Sequence, residues 1–319
     1  MGCSRQSLLA VVRATRSSAD VEVASVASQS PARAREFAAK HGIRAAADSY
    51  QSLIDDDGID AVYIGLPNNC HTNWSLAAMR AGRHVLAEKP LCMSLAEAEA
   101  IAETAERTGR ACWEAITTAA HPWQREIRRM ADRGRYGRVV SITVNLSFDI
   151  DGDRLSRLRP RKDGGGVFLD TAPYWLQIVE SVSGLDVRAR TLELTEALPG
   201  LDVAATAELV LLDGISARLR ASYLDAYLAS VSVRFEQAHF RLPDLFRANV
   251  GTCKLHGEWA DSRSGQVQRV SYGPLNAFEV QLSRFAELTR GPNPWAPTKN
   301  CVARRKLMDE LLMTYAEGA

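Results

Sequence analysis

Residues 60–90 read DAVYIGLPNNCHTNWSLAAMRAGRHVLAEKP. The segment opens with a short apolar run, Asp60-Ala61-Val62-Tyr63-Ile64-Gly65-Leu66, and closes on another, His84-Val85-Leu86-Ala87. Neither run alternates cleanly between polar and apolar residues, as expected of strands buried on both faces of a parallel sheet. Between them Asn73 to Ala81 carries a helical pattern that Gly82 stops. Strand, crossover helix and second buried strand make a parallel βαβ unit.

The alternation continues on both sides. Upstream, Leu8 to Thr15 reads as a helix and Val21 to Ala27 as a β-rich run. Pro31 to His41 reads as a helix with proline at its start, where the missing N–H does no harm, and Ser52 to Asp56 as the start of another. Downstream, Ser94 to Thr108 is an Ala/Glu-rich helix, with Ser94 as N-cap and Glu97 as the second half of a capping box. Ala111 to Ala115 is a further strand. This pattern predicts a Rossmann-like, doubly wound parallel sheet over residues 1–120.

After about residue 120 the pattern changes. Glu126 to Arg133 is one more helix, and long extended runs follow: Val139 to Phe148, Arg188 to Thr195, Ala205 to Leu212, Ser216 to Tyr223 and Ser230 to Phe235. Asp213-Gly214 between two of them is a hairpin signal. A helix over Tyr174 to Ser183 follows Gly164-Gly165-Gly166, and helices near Asn276 to Thr289 and Cys301 to Tyr315 close the chain. Residues 121–319 are predicted to form a second domain on an open, mostly antiparallel sheet that supplies the substrate site. Leu209-Val210-Leu211-Leu212 is apolar on both faces, so a homo-dimer or homo-tetramer that buries this sheet is expected.

Composition narrows the function classes. The chain has 319 residues and a formal net charge of +1, which argues against a nucleic-acid partner despite a local basic patch from Arg154 to Lys162. Its six cysteines show no C-x-x-C spacing, so they read as reduced thiols and no metal site is expected. No apolar run approaches the ~18 residues needed to span a membrane, and the N-terminus lacks a secretory core. A cytoplasmic protein acting on a small molecule, with no membrane partner, is expected.

Ligands of a doubly wound sheet lie at the carboxyl ends of its strands. Glu88-Lys89-Pro90 ends one strand, and a desolvated lysine there suits proton transfer; the alternative is a surface ion pair followed by a turn. Pro67-Asn68-Asn69-Cys70-His71 ends the other. Asn68 and His71 can hydrogen-bond a ligand, or Asn69 and Thr72 can simply cap the next helix. Asp170 and Tyr174, four apart, share a helical face. A carboxylate and a phenol so placed can orient and protonate a carbonyl oxygen; alternatively Asp170 caps the helix and Tyr174 packs in its core.

Taken in order, these segments resemble the glucose–fructose oxidoreductase, inositol dehydrogenase and MocA-like family. The resemblance runs from Gly2-Cys3 through Val21-Glu22-Val23, Leu66-Pro67-Asn68, Glu88-Lys89-Pro90 and the glycine-Asp170 segment to Val302-Ala303-Arg304. It implies NAD(P)-dependent hydride transfer at a carbinol or carbonyl carbon of a sugar or cyclitol. It places Gly2, Cys3, Ser4, Ser28, Gln29, Leu66, Pro67, Asn68, His71, Glu88 and Lys89 along the cofactor. It sets Lys89 beside the reacting oxygen and Asp170 on the substrate, and aligns His121 and Trp123 with a segment near the substrate pocket. Tyr174 stands where many members have a catalytic histidine. A tyrosine there is most similar to the nucleotide-sugar 3-ketoreductases of deoxysugar pathways, where it is the acid.

The pattern departs from the family at the start. A first strand, usually about 5 residues long, is expected to be missing before Gly2, leaving its neighbours with unpaired backbone. Of G-x-G-x-x-G only Gly2 stands, with Ser4 and Ser7 at the other positions. Ala27-Ser28-Gln29-Ser30 offers no acid for a ribose 2′-OH, while Ser28, with Arg33 or Arg35, suits a 2′-phosphate; NADP(H) is therefore expected over NAD(H). Ala172 and Pro173 precede Tyr174 where a glycine is common. The expected activity is reduction of a keto group on a sugar or similar cyclic molecule, with the proton from Tyr174. The eroded glycines leave a second expectation, a cofactor-free cyclase, isomerase or lyase on the same scaffold.

Overall fold

The computed structural model describes residues 1–16, 18, 20–150, 152 and 158–318, so Arg154 to Arg157 of the basic patch lie outside the described residues. The chain parts into two compact units. The first is Met1–Ile116 with Phe278–Lys306; the second is Thr117–Ala277 with Leu307–Ala319.

In the first unit, β1 (Ser25–Val26) pairs with β2 (Ala45–Ala46), and β3 (Ala61–Ile64), β4 (His84–Glu88) and β5 (Cys112–Ala115) form a second piece, all parallel. Met1 and Gly2 hydrogen-bond to both pieces. The Met1 ammonium donates to the Tyr63 carbonyl at 2.6 Å and the Gly65 N–H to the Met1 carbonyl at 3.0 Å, while the Gly2 N–H donates to the Ala27 carbonyl at 2.9 Å. The backbone expected to lack a neighbour is thus partly met by these residues. A short helix α1 (Arg5–Ser7) leads into a wider-wound turn over Leu8–Arg13, and the β-rich run is paired only at Ser25–Val26. Helices α2 (Pro31–His41), α3 (Tyr50–Asp55), α4 (His71–Arg80) and α5 (Leu95–Thr108) follow in the expected order. Half of the expected capping box forms. The Ser94 hydroxyl accepts the Glu97 N–H, but the Glu97 carboxylate instead takes the Met93 N–H and the Thr72 hydroxyl, both within 2.9 Å.

The second unit is built on an eight-stranded sheet in the order β13-β12-β11-β10-β6-β9-β8-β7. Its strands are β6 (Val139–Ser147), β7 (Val187–Leu198), β8 (Leu201–Leu211), β9 (Ser216–Ser222), β10 (Leu228–Phe235), β11 (Ala238–Leu242), β12 (Cys253–Asp261) and β13 (Val267–Leu275). Only β6 and β9 pair in parallel. Asp213-Gly214 turns β8 into β9, with the Asp213 carboxylate accepting the Ile215 N–H at 3.1 Å. One cross-sheet row, Leu192, Ala207, Leu219, Val144, Val231 and Leu242, is buried. Helices α6 (Pro122–Asp132) and α7 (Val167–Ser183) pack in this unit, joined by reciprocal Gln124–Gln177 amide bonds of 3.0 and 2.9 Å.

The opposite face is polar. A neighbouring row carries Thr191, Glu208, Arg218, Thr143, Ser232, Arg241, Glu258 and Arg269. Leu209 and Leu211 point inward, at 0 and 2% exposure, and Leu212 lies beyond the strand end. Of residues 209–212, Leu209 and Leu211 belong to the inner face, half-buried Val210 shares the outer face with Glu208, and Leu212 is exposed, so the run adds one valine to this otherwise polar face.

The chain closes with α8 (Ala277–Thr289) and α9 (Lys299–Gly318). Phe278, Leu282 and Phe285 pack with Ala10, Leu86 and Ala115 of the first unit, which is why α8 belongs there rather than with the antiparallel sheet that precedes it.

Candidate active site

The turn Gly2–Ser7 survives the loss of two glycines because the space comes from elsewhere. Gly2 has φ +93°, and a Cβ on it would lie 2.5 Å from the Gly65 carbonyl oxygen, so only glycine fits. A Cβ on Gly65 would lie 2.7 Å from Ser7 Oγ. Gly65 thus supplies, from the end of β3, the close helix–strand approach that a glycine at position 7 ordinarily gives. Ser4 Oγ accepts the Ser7 N–H at 3.0 Å and caps α1. A tight turn at a helix start is the backbone cradle that holds a pyrophosphate, so these residues fit a dinucleotide.

Beside this turn the Arg33 guanidinium donates to the Cys3 carbonyl at 2.9 Å, whereas Arg35 is paired with Asp48 at 2.8 Å. Burial raises the Cys3 thiol above its ordinary pKa, against the pull of Arg33. Ser28 is buried and Gln29 exposed. Of the two arginines weighed for a 2′-phosphate, Arg33 is the one at the turn.

At the carboxyl end of β4, Glu88 Oε1 accepts the Tyr63 hydroxyl at 2.6 Å and the Gln6 side-chain amide at 3.1 Å, linking the lysine motif to the glycine turn. Lys89 is half-buried. Leu66, Pro67 and Asn68 leave β3 at the same edge. His71 departs from expectation. It is fully buried, with its ring nitrogens 2.8 Å from the Leu66 carbonyl and 2.9 Å from the Pro90 carbonyl. The ring thus lies between two backbone carbonyls, bridging the chain after β3 and the chain after β4, with one of them taking its N–H in the neutral imidazole. Capping does not explain this segment either, since α4 has no side-chain cap.

In the second unit Gly166 (φ +90°) opens α7, and a Cβ there would collide with the Asp202 carboxylate. Asp202 is fully buried; it accepts the Phe168 N–H at 2.8 Å and Arg161 at 2.7 Å. Arg161 also meets Glu196, at 2.5 Å, and these carboxylates hold its pKa up against burial. Asp202, not Asp170, therefore caps the helix. Asp170 accepts the Tyr223 hydroxyl at 3.2 Å. Burial, reinforced by the Asp170 charge, drives the Tyr223 phenol far upward, so it remains a proton-bearing donor. Tyr174 is half-buried, outside the core, with its ring edge-on to Phe246 at 4.9 Å. Phe246 stacks on Phe148 at 6.3 Å, and Phe148 reaches Tyr223 at 6.3 Å.

His121 and Trp123 are not at a ligand surface. Both are fully buried; Trp123 Nε1 donates to His121 Nδ1 at 3.2 Å, and burial pushes the His121 pKa down to about 4. A segment similar to a pocket-lining one has here become core. Tyr223 and Asp202 were not singled out from the sequence, because each acts through a partner distant in the chain. Among the described residues no group of three or more His, Cys, Asp or Glu side chains can hold a metal, and no helix is long and apolar enough to cross a membrane.

Residues 1–116 match the oxidoreductase family with an NAD-binding Rossmann fold, and residues 124–241 match the GFO/IDH/MocA C-terminal domain. The chain belongs to the GFO/IDH/MocA oxidoreductase family. Its GFO/IDH/MocA relatives include D-xylose 1-dehydrogenase (NADP(+)) 2 of Haloferax volcanii, 28% identical over 300 residues, which are 93% of this chain and 91% of that protein. They also include dTDP-3,4-didehydro-2,6-dideoxy-alpha-D-glucose 3-reductase of Actinomadura kijaniata, 31% identical over 215 residues, 67% of this chain and 64% of that one. KijD10, a 3-ketoreductase from Actinomadura kijaniata solved with NADP and TDP-benzene, shares the fold at TM-score 0.86 and 24% identity, over 98% of this chain and 95% of that chain. As a family member the protein is an NAD(P)-dependent oxidoreductase with ketoreductases on nucleotide sugars among its relatives.

Proposed function

We propose that this protein reduces a keto group on a nucleotide-linked sugar or similar cyclic molecule, with NADP(H) preferred. The observation that carries the reading is the pair Asp170 and Tyr174 on one partly open face of α7, with Asp170 fixed by Tyr223. Gly2, Cys3 and Ser4 would hold the pyrophosphate, Ser28 and Arg33 the 2′-phosphate, and Leu66, Pro67, Asn68 and Glu88 the nicotinamide end. When bound there, a nicotinamide would supply the hydride for the carbonyl carbon. Tyr174 gives its phenolic proton to the oxygen, and Lys89 stabilises the negative charge that develops there. Asp170 accepts a substrate hydroxyl and sets the ring's orientation. The close approach at Gly65 supports this reading over a cofactor-free one.

The test is titration with NADPH and NADH followed by nicotinamide fluorescence, then NADPH oxidation with a dTDP-linked 3-keto sugar. Micromolar NADPH binding is expected, and Tyr174→Phe and Lys89→Ala should each lower kcat by about 10²–10⁴. Unchanged turnover in the Tyr174→Phe, Lys89→Ala double variant would sink the mechanism.

A further inference from the structure

The backbone just beyond Lys89 is gripped by buried polar side chains from separate elements. Pro90 has no N–H, so Leu91 carries the first backbone donor after the lysine. The Leu91 N–H donates to Glu114 Oε1 on β5 at 3.1 Å, and Glu114 Oε2 accepts Arg304 Nη2 from α9 at 2.9 Å. The Pro90 carbonyl meets the His71 ring at 2.9 Å. Glu114 and Arg304 are each 7% exposed and His71 is 0% exposed. Removing a carboxylate and a guanidinium from water is costly, and exchange of such a pair for apolar side chains often leaves stability unharmed. Fold stability alone therefore gives a poor account of Glu114, while its bond to Leu91 gives a specific one.

We infer that Glu114, through its bond to the Leu91 N–H, is a positioning residue for Lys89. It fixes the chain on the C-terminal side of the lysine, opposite the grip on Glu88, and so sets the reach of the ammonium. The functional meaning of this rests on the role proposed for Lys89, but the placement is measurable without turnover.

The full chain is treated with limiting acetic anhydride and labelling at each lysine is read by mass spectrometry, with Lys40, Lys162, Lys254, Lys299 and Lys306 as internal standards. Two double variants lose both charges and differ only in the acceptor for Leu91. Glu114→Gln with Arg304→Met keeps an amide oxygen for the Leu91 N–H; Glu114→Met with Arg304→Met removes it. The first is expected to label Lys89 at the wild-type rate. The second is expected to label it about 3- to 10-fold faster, the population change that one lost hydrogen bond allows. Wild-type labelling in both variants, or equal acceleration in both, overturns the inference. Amide exchange in the wild-type protein gives a check that needs no variant to fold: Leu91 should be protected, and exchange at the rate of an exposed loop amide overturns the inference too. Separately, NADPH-dependent turnover that survives Lys89→Ala would strip the position of its catalytic meaning while leaving the labelling result intact, so the two failures are distinguishable.

Discussion

Substituting Gly65→Ala tests whether the Rossmann turn is rebuilt as the structure shows. Gly65 does not have a positive φ, so alanine meets no backbone penalty there. The new Cβ would lie 2.7 Å from Ser7 Oγ and 2.9 Å from Tyr63 Cε1, both well inside ordinary contact. Tyr63 cannot swing away freely, because its hydroxyl is bonded to Glu88 at 2.6 Å. Overpacking of this kind costs about 1–3 kcal/mol, and the stiffer unfolded chain returns about 0.4–1. A net loss of about 1–2 kcal/mol follows, lowering the Tm of the first unit by about 3–6 °C. Release of half or more of that strain onto the Gly2–Ser7 turn raises the NADPH Kd by about 3- to 10-fold. Differential scanning fluorimetry and fluorescence titration read both quantities. Ser7→Gly added to Gly65→Ala should restore NADPH affinity and part of the Tm, since the Tyr63 contact remains. A Gly65→Ala protein that melts and binds like wild type refutes the reasoning, and so does a double variant no better than the single.

Arg33→Ala should weaken NADPH binding about tenfold and leave NADH unchanged, while Arg35→Ala, which removes only the partner of Asp48, should alter neither; comparison of both titrations decides this. His121 is held neutral with its pKa lowered to about 4 from 6.5. Stability from this group is complete above pH 6.5. It is lost as pH falls toward 4, because the unfolded chain takes up a proton that the folded one refuses; the loss is about 3 kcal/mol. Urea denaturation at pH 7 and pH 4.5 should show that slope, and His121→Gln should flatten it. Tyr223→Phe removes the hydroxyl that holds Asp170 and should lower kcat/KM by about tenfold with little change in NADPH affinity, as steady-state kinetics would show. Asp202→Asn should destabilise the second unit by about 3 kcal/mol, since it breaks a buried pair at the start of α7; the melting curve reports it.

Much of this protein is legible along the chain. The unbroken apolar runs at Val62–Ile64 and Val85–Ala87 and the helices between them declare a parallel sheet, because burial on both faces leaves its mark on every residue of a strand. Asp213-Gly214 declares a hairpin through its turn chemistry, and Glu88-Lys89-Pro90 marks the carboxyl end of a buried strand. These are local properties, carried by neighbours in sequence. The strands from Ala238 to Leu275 were harder to read, since their outward positions are polar and glycine interrupts them. What the chain could not disclose depends on partners far apart. Gly65 makes room for Ser7, Asp202 rather than Asp170 caps α7, and Tyr223 fixes Asp170. His71 and His121 look like ligands in sequence, yet their hydrogen bonds are settled by which carbonyls and rings surround them once the chain has folded. Phe278–Lys306 returns to the first unit because Phe278, Leu282 and Phe285 find their apolar contacts there. Periodicity and turn chemistry determine which elements form; packing and hydrogen-bond satisfaction, known only once distant segments meet, decide which side chains remain available for chemistry.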